Sequence, residues 1–410
     1  FAIIAFQLHF VLDLTGHVLA FEANILHIKA RHIAAWLVPK QLDAISLLFS
    51  WYVARMSSAK GRGKDIATDD ISLHSPNGCS IELKLKGGET WKLYRSLKYK
   101  KTDKSDLSAL NRLVTILREK IDNDPRAAIP VLAYYNVNRV IPNRYPRMPR
   151  GKETETQLDA YKNCLASSQL FSDFFNWFRL AEDYENEQYK NNRSYRDRGL
   201  DAVRQAMKQM FPDYSEMRVS RRPLALLMHK GDEVFKINQL SDGEKCYIAL
   251  VCDIARRLAI ANPEGNPLLG NGIILIDEID LHLHPKWQQS VISKLTETFP
   301  NCQFFITTHS PIVASDAKGA VFGISDGIIS PKLTYGRKSS DILASVFDID
   351  MARSLYVQSL FNEAYDFIDH RDEKAFNAKL QELIDILGAD DPDVTGLKIE
   401  HMRRQRLLTK

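Results

Sequence analysis

Three short runs in this chain carry side chains suited to phosphate chemistry. Gly272-Ile273-Ile274-Leu275-Ile276-Asp277-Glu278 delivers two adjacent carboxylates at the end of an apolar run. In phosphoryl-transfer sites one such carboxylate, here Asp277, helps hold a divalent metal, and its neighbour, Glu278, can polarise the attacking water. Leu240-Ser241-Asp242-Gly243-Glu244-Lys245 puts a small hydroxyl and a glycine ahead of an apolar stripe of helical period. A helix that begins there presents free backbone N–H groups and a positive dipole end, which favour a phosphate. Thr307-Thr308-His309-Ser310 closes a second apolar run with a histidine that could reach the same phosphate. Asp280-Leu281-His282-Leu283-His284-Pro285 follows the carboxylates. His282 and His284 would suit zinc only with further ligands, and no cysteine or third ligand stands at metal-site spacing nearby, so an interfacial loop is the preferred reading.

The elements that must position these groups follow from periodicity. Ile273 to Ile276, Phe304 to Ile306 and Val131 to Tyr135 are continuous apolar runs, as expected of parallel strands buried on both faces. Open α/β sheets bind ligands at the C-terminal ends of such strands. Ser241 followed by Glu244 is a capping box at the start of a helix through Ala261, and this is compatible with the phosphate reading. Residues 71–95 alternate around Gly87-Gly88 and predict a β-hairpin; residues 107–121 have a helical period; Gln157 to Met210 is mostly helical; Glu233 to Ile237 predicts a strand.

From Leu42 to about Gly327 the chain resembles the RecF/SMC-like branch of ABC ATPases, on the strength of Asp277-Glu278-Ile279-Asp280-Leu281-His282-Leu283-His284-Pro285 and Thr307-Thr308-His309-Ser310-Pro311. More narrowly, Phe174-Phe175-Asn176-Trp177-Phe178, the helix Cys246 to Ala261 and the tail with Leu387-Gly388-Ala389-Asp390-Asp391-Pro392 are similar to PtuA, the ATPase of Septu antiphage systems, and to a related retron group. The resemblance implies an α/β ABC-type ATPase head, a parallel sheet flanked by helices, with a short helical insertion and a C-terminal helical tail. It implies ATP and Mg²⁺ as cofactors, Asp277 at the metal, Glu278 as general base and His309 as switch histidine. Ser241, Asp242, Gly243, Glu244 and Lys245 become the signature motif that reaches the other protomer's nucleotide, and Asp280 and His282 the D-loop. It further implies a homodimer or higher homo-oligomer, a separate HNH nuclease subunit of the PtuB type, and a reverse transcriptase with its cDNA or RNA as an additional partner. Asp242 departs from the family, which usually has a glycine there.

The phosphate-binding loop is missing from its expected place. Gln41-Leu42-Asp43-Ala44-Ile45 reads like the helix after that loop, yet His32-Ile33-Ala34-Ala35-Trp36-Leu37-Val38-Pro39 contains no glycine and no Lys-Ser/Thr pair. Lys40 stands too close to Asp43 to align with the loop's lysine, and Gly61-Arg62-Gly63-Lys64 lies after the helix, lacks the hydroxyl residue and reads as a flexible loop. Three readings stay open: an altered N-terminus over a normal ATPase, a degenerate site, and a loop assembled from elsewhere.

Boundaries are expected at residues 1–155 and 216–340 for the two parts of the head, 156–215 for the insertion and 341–410 for the tail. The 410 residues contain five scattered cysteines without disulfide or zinc spacing, which suits a reducing, cytoplasmic setting, and no apolar run long enough to span a membrane. The net charge of +4 does not by itself argue for nucleic acid; clusters within 84–104, 139–152 and 193–222 would carry backbone contacts if any do. Three functions compete: a defence ATPase regulating a nuclease, a RecF-like repair ATPase, and a scaffold that lost hydrolysis. In the tail, the apolar positions from Leu355 to Leu387 exceed what one helical hairpin buries, which predicts a docking module.

Overall fold

A computed structural model describes residues 2–5, 19–22, 26–31, 41–71, 78–85, 90–96, 103–139, 141–142, 145–146, 156–325, 328–349 and 353–408. The chain divides into two compact units, Phe1–Ile342 and Leu343–Lys410. The first is built on a six-stranded sheet in the order Ile328–Lys332, Ala320–Ser325, Ala2–Ala5, Cys302–Thr308, Gly272–Ile276, Val131–Tyr135. The last three run parallel, with Ile276 level with both Ile306 and Tyr135, and every residue in them is buried. Continuous apolar runs can be buried on both faces only when helices cover both sides of the sheet. Ala2–Ala5 is antiparallel to both of its neighbours.

The helix Asp242–Ala261 is buried along almost its whole length. Against it pack the helices Leu170–Asn191 and Arg198–Met210 and the short turn Gln157–Tyr161. Phe171, Phe174, Phe175 and Phe178 form the buried stripe of Leu170–Asn191, so the insertion lies on the head. A helix buried on all sides must neutralise its charges internally. Asp253, fully buried, accepts from Arg256 (2.6 Å), Arg257 (2.7 Å) and the Tyr135 hydroxyl (2.9 Å), and Arg257 donates onward to the carbonyls of Ala160 and Lys162. That cluster ties the helix to the strand Val131–Tyr135.

Two smaller sheets complete the unit. The expected hairpin forms from Gly78–Leu85 and Thr90–Ser96, and Leu19–Glu22 and Leu26–Arg31 extend it to four antiparallel strands. Gly87-Gly88 lies outside the described residues. In Leu26–Arg31 the apolar Leu26, Ile28 and Ala30 alternate with His27, Lys29 and Arg31, the two-residue period of a strand. Tyr214–Arg221, Leu224–Lys230 and Glu233–Lys236 form a three-stranded meander just before the helix Asp242–Ala261. Only its last strand was expected; the first falls in the stretch 193–222 that reads as basic, and the second follows that stretch directly.

The second unit contains the helices Leu355–His370, Glu373–Leu387 and Pro392–Leu408. Val357, Leu360, Phe361, Ala364, Ile368, Phe376 and Leu383 share a core with Val394 and Leu397 of the third helix. The apolar surplus of the first two helices, read from the sequence as a docking surface, is thus covered largely by the third. Leu355, Tyr356 and Tyr365 stay exposed.

Candidate active site

Asp277 follows the last residue of its strand, and its N–H still donates to the Tyr135 carbonyl at 2.8 Å. Its carboxylate is buried and accepts from the Thr307 hydroxyl on the neighbouring strand. Burial pushes the Asp277 carboxyl up; Thr307 opposes this, Asp43 and Glu278 add to it, and Arg139 opposes it. Glu278 adopts a φ of +45°, the left-handed region that non-glycine residues seldom occupy. That turn frees the chain from the ladder and leaves the Glu278 side chain about a third exposed, 4.0 Å from His309 Nε2. The Glu278 N–H donates to the Thr307 hydroxyl oxygen at 2.8 Å, so one threonine sets both carboxylate residues. Asp280 accepts from the Thr308 hydroxyl and from the His309 N–H, which fixes the following loop to the strand that carries the histidine. Asp277, Glu278, Asp280 and His309 therefore meet at one edge of the parallel strands.

Sequence reading missed Arg139, which it grouped with a basic stretch. Arg139 is buried and donates to the carbonyls of Asp277 (2.7 Å), Glu278 (2.9 Å) and Tyr135 (3.2 Å). The signal was available: an arginine four residues past the end of a wholly apolar strand has little water to turn to.

At the start of the helix Asp242–Ala261 the capping box is closed in both directions. Ser241 Oγ accepts from the Glu244 N–H at 3.3 Å, and the Ser241 N–H and hydroxyl each donate to Glu244 at 2.9 Å. Glu244 also takes the Tyr214 hydroxyl (2.6 Å) and Lys230 (2.9 Å). Burial raises its carboxyl, but Tyr214, Lys230 and Ser241 outweigh that and bring it down to about 2. Asp242 points outward, and Lys245 meets it at 2.6 Å and holds its carboxyl below the usual range. Gly243 has no room for a side chain: a Cβ there would fall 1.9 Å from the His282 carbonyl oxygen, so the glycine seats this helix on the loop after Glu278. His282 itself has a φ of +61°. His284 caps the short helix Pro285–Gln288 by accepting from the Lys286 N–H.

The helix Gln41–Ser57 brings its first turn to the same edge, where Tyr134 donates to Asp43 at 2.6 Å. Residues 32–40, including Lys40, lie outside the described residues. The strand Ala2–Ala5 pairs Ala2 with Thr308 and Ala5 with Phe305, so it starts at the carboxylate edge and points away from it. Gly61 and Gly63 sit against the helix Gln41–Ser57, and the Trp51 indole donates to the Lys64 carbonyl at 3.0 Å; this segment is packed, in contrast to the flexible loop expected for it.

Magnesium usually takes one or two carboxylates and completes its octahedron from water and substrate phosphates. Asp277, with one oxygen engaged by Thr307 and negative neighbours in Asp43 and Glu278, fits that demand. Among the described residues no group of three or more His, Cys, Asp or Glu could hold a metal ion. A glycine-rich phosphate cradle is likewise absent among them. No helix among the described residues is long and apolar enough to cross a membrane.

Comparison with known proteins bears out the sequence resemblance. The family described as "AAA domain, putative AbiEii toxin, Type IV TA system" matches residues 160–315. "Retron Ec83 probable ATPase" of Escherichia coli is 30% identical over 377 residues, covering 75% of this chain and 68% of that protein. "Septu protein PtuA" of Bacillus mycoides (strain KBAB4) is 29% identical over 197 residues, 47% of this chain and 24% of that protein. Among solved structures, the SMC head bound to the C-winged helix domain of ScpA aligns with 72% of this chain and 85% of that one at 17% identity and a TM-score of 0.35. The chain belongs to the family of retron ATPases, and part of it is similar to Septu PtuA.

Proposed function

We propose that this chain is the ATP-binding subunit of an antiphage defence complex, in which the state of its nucleotide regulates a separate HNH-type nuclease. The observation that carries this reading is the meeting of Asp277, Glu278, Asp280 and His309 at the edge approached by the first turn of Gln41–Ser57, in a chain of this family. Asp277 would hold Mg²⁺, which would neutralise phosphate charge; Glu278 would accept the proton of the attacking water, and His309 would contact the terminal phosphate. Ser241, Gly243 and Lys245 would meet the nucleotide of a second copy of the chain, which makes a homodimer the working unit, and Asp280 and His282 would line that interface. The relatives' names support a defence role; the nuclease, a reverse transcriptase with its cDNA or RNA, nucleic-acid contact through the basic clusters and a cytoplasmic location are part of this proposal.

One observation favours a second reading, a nucleotide-binding scaffold with little hydrolysis: the strand Ala2–Ala5 runs in the wrong direction to lead into a phosphate loop at Asp277. Calorimetric titration of Mg-ATP into the wild type and Asp277→Ala, with steady-state turnover, tests both. Magnesium-dependent binding lost in Asp277→Ala, together with turnover, supports the ATPase; binding without turnover supports the scaffold; no binding by the wild type refutes both.

A further inference from the structure

We propose that Arg139 is a positioning residue that couples the helix Asp242–Ala261 to the carboxylate loop, with Cys246 as the other end of the link. The inference deepens the ATPase reading, since the loop it controls is the one assigned to metal and water.

The chain leaves the ladder after Ile276, yet the carbonyls of Asp277 and Glu278 lie deep enough to need donors. Arg139 supplies them with the two ends of its fork, Nη1 to Asp277 at 2.7 Å and Nη2 to Glu278 at 2.9 Å. Nη1 also reaches the Tyr135 carbonyl at 3.2 Å, so the guanidinium spans two strands. A lysine ammonium has no planar fork with which to hold two successive carbonyls. Glu278 occupies a φ of +45°, a conformation that persists only when its surroundings over-determine it, and Arg139 and Thr307 are what determine it.

The Arg139 backbone is held in turn. The Cys246 thiol donates to the Arg139 carbonyl at 2.9 Å, from the first turns of the helix whose cap is Ser241. Arg139, Gly243, Cys246, Leu281 and Leu283 line one shared depression, and Gly243 closes it against the His282 carbonyl. Movement of the signature end of the helix therefore passes through Cys246 to Arg139 and from Arg139 to the backbone of Asp277 and Glu278. A signal from one nucleotide would reach the carboxylates that act on another by this route.

Hydrogen–deuterium exchange on the full chain, without nucleotide, tests the link. In Arg139→Gln the amides of Glu278, Ile279 and Leu281 should exchange roughly tenfold faster or more, because each lost bond from a charged donor shifts local opening by at least that factor. The amides of the meander 214–236 and of the helix Leu355–His370 should not change. Arg139→Lys should behave like Arg139→Gln. Cys246→Ala should raise exchange at the same loop amides by a smaller factor, Cys246→Ser should restore it, and Cys246→Ala should add nothing in the Arg139→Gln background. Unchanged loop exchange in Arg139→Gln, a uniform rise across the chain, or full protection in Arg139→Lys would overturn the proposal. If Arg139→Gln does not fold, the Cys246→Ala and Cys246→Ser pair decides: no difference between them at the loop amides refutes the link. In Mg-ATP turnover, Arg139→Gln should lower kcat and leave KM within about twofold. A wild type that binds no Mg-ATP would sink the ATPase reading and leave the exchange result standing.

Discussion

The two sides of the candidate site are built by different means. On the carboxylate side, Asp277, Glu278, Asp280 and His309 follow the ends of two neighbouring parallel strands, and Thr307, Thr308 and Arg139 lock them by hydrogen bonds between these segments. On the phosphate side, the helix Gln41–Ser57 comes in with its first turn beside the carboxylates, but the strand Ala2–Ala5 points away from it. The contrast teaches that the carboxylate side is over-determined by hydrogen bonds between buried strands. Among the described residues, the phosphate side rests on the first turn of one helix.

The largest expected effect attacks that frame. Asp253→Ala leaves Arg256 and Arg257 buried without their counter-charge, a change that costs about 3 to 5 kcal/mol in comparable sites. Denaturant unfolding should show a loss of that size, with site and signature helix failing together; a loss below about 1 kcal/mol would mean the frame does not depend on this cluster. Next is Glu278→Gln, which keeps shape and hydrogen bonding but removes the base. Turnover should fall by about 10² or more with ATP still bound, and unchanged turnover would take Glu278 out of the mechanism.

The third test builds the missing side. A glycine-rich loop ending in Lys-Ser, placed ahead of Leu42, should raise Mg-ATP affinity roughly tenfold or more, because backbone N–H groups and an ammonium would then face the phosphates. Equal and weak affinity before and after would shift attention to the Asp242–Lys245 pair, which occupies the ammonium nearest the signature turn.

The smallest effect is a pH dependence. The folded state holds the Glu244 carboxyl below its ordinary 4.5, at about 2, so its contribution to stability is fully present above about pH 4.5 and is lost as pH falls toward about 2. The stability difference between the wild type and Glu244→Gln should therefore be constant from neutral pH down to about 5 and shrink below that. A difference that persists unchanged to the lowest pH at which the chain folds would show that the charge on Glu244 does not matter.

Much of the carboxylate half was legible in the sequence. Ile273 to Ile276 and Phe304 to Ile306 are apolar without interruption, and only a doubly covered strand accommodates that. Ser241 and Glu244 have the spacing of a capping box, and the box is closed. The remainder was hidden because its partners are distant in the chain. Arg139 and Glu278 lie 139 residues apart, and Tyr135 and Asp253 lie 118 apart. The tail was expected to be helical, but the covering role of its third helix was missed for a related reason: its few core residues, Val394 and Leu397, carry no periodic stripe strong enough to announce what they cover.

Taken alone, the sequence determined the buried strands, the helix caps and the order of the chemical groups, because these rest on side-chain period and on bonds between near neighbours. Only the tertiary structure decided that Tyr214 and Lys230 reach Glu244, that Arg139 fixes the turn at Glu278 and that Ala2–Ala5 runs antiparallel. Those outcomes depend on which segments meet, and a buried carbonyl or charge takes whichever donor the fold brings within reach.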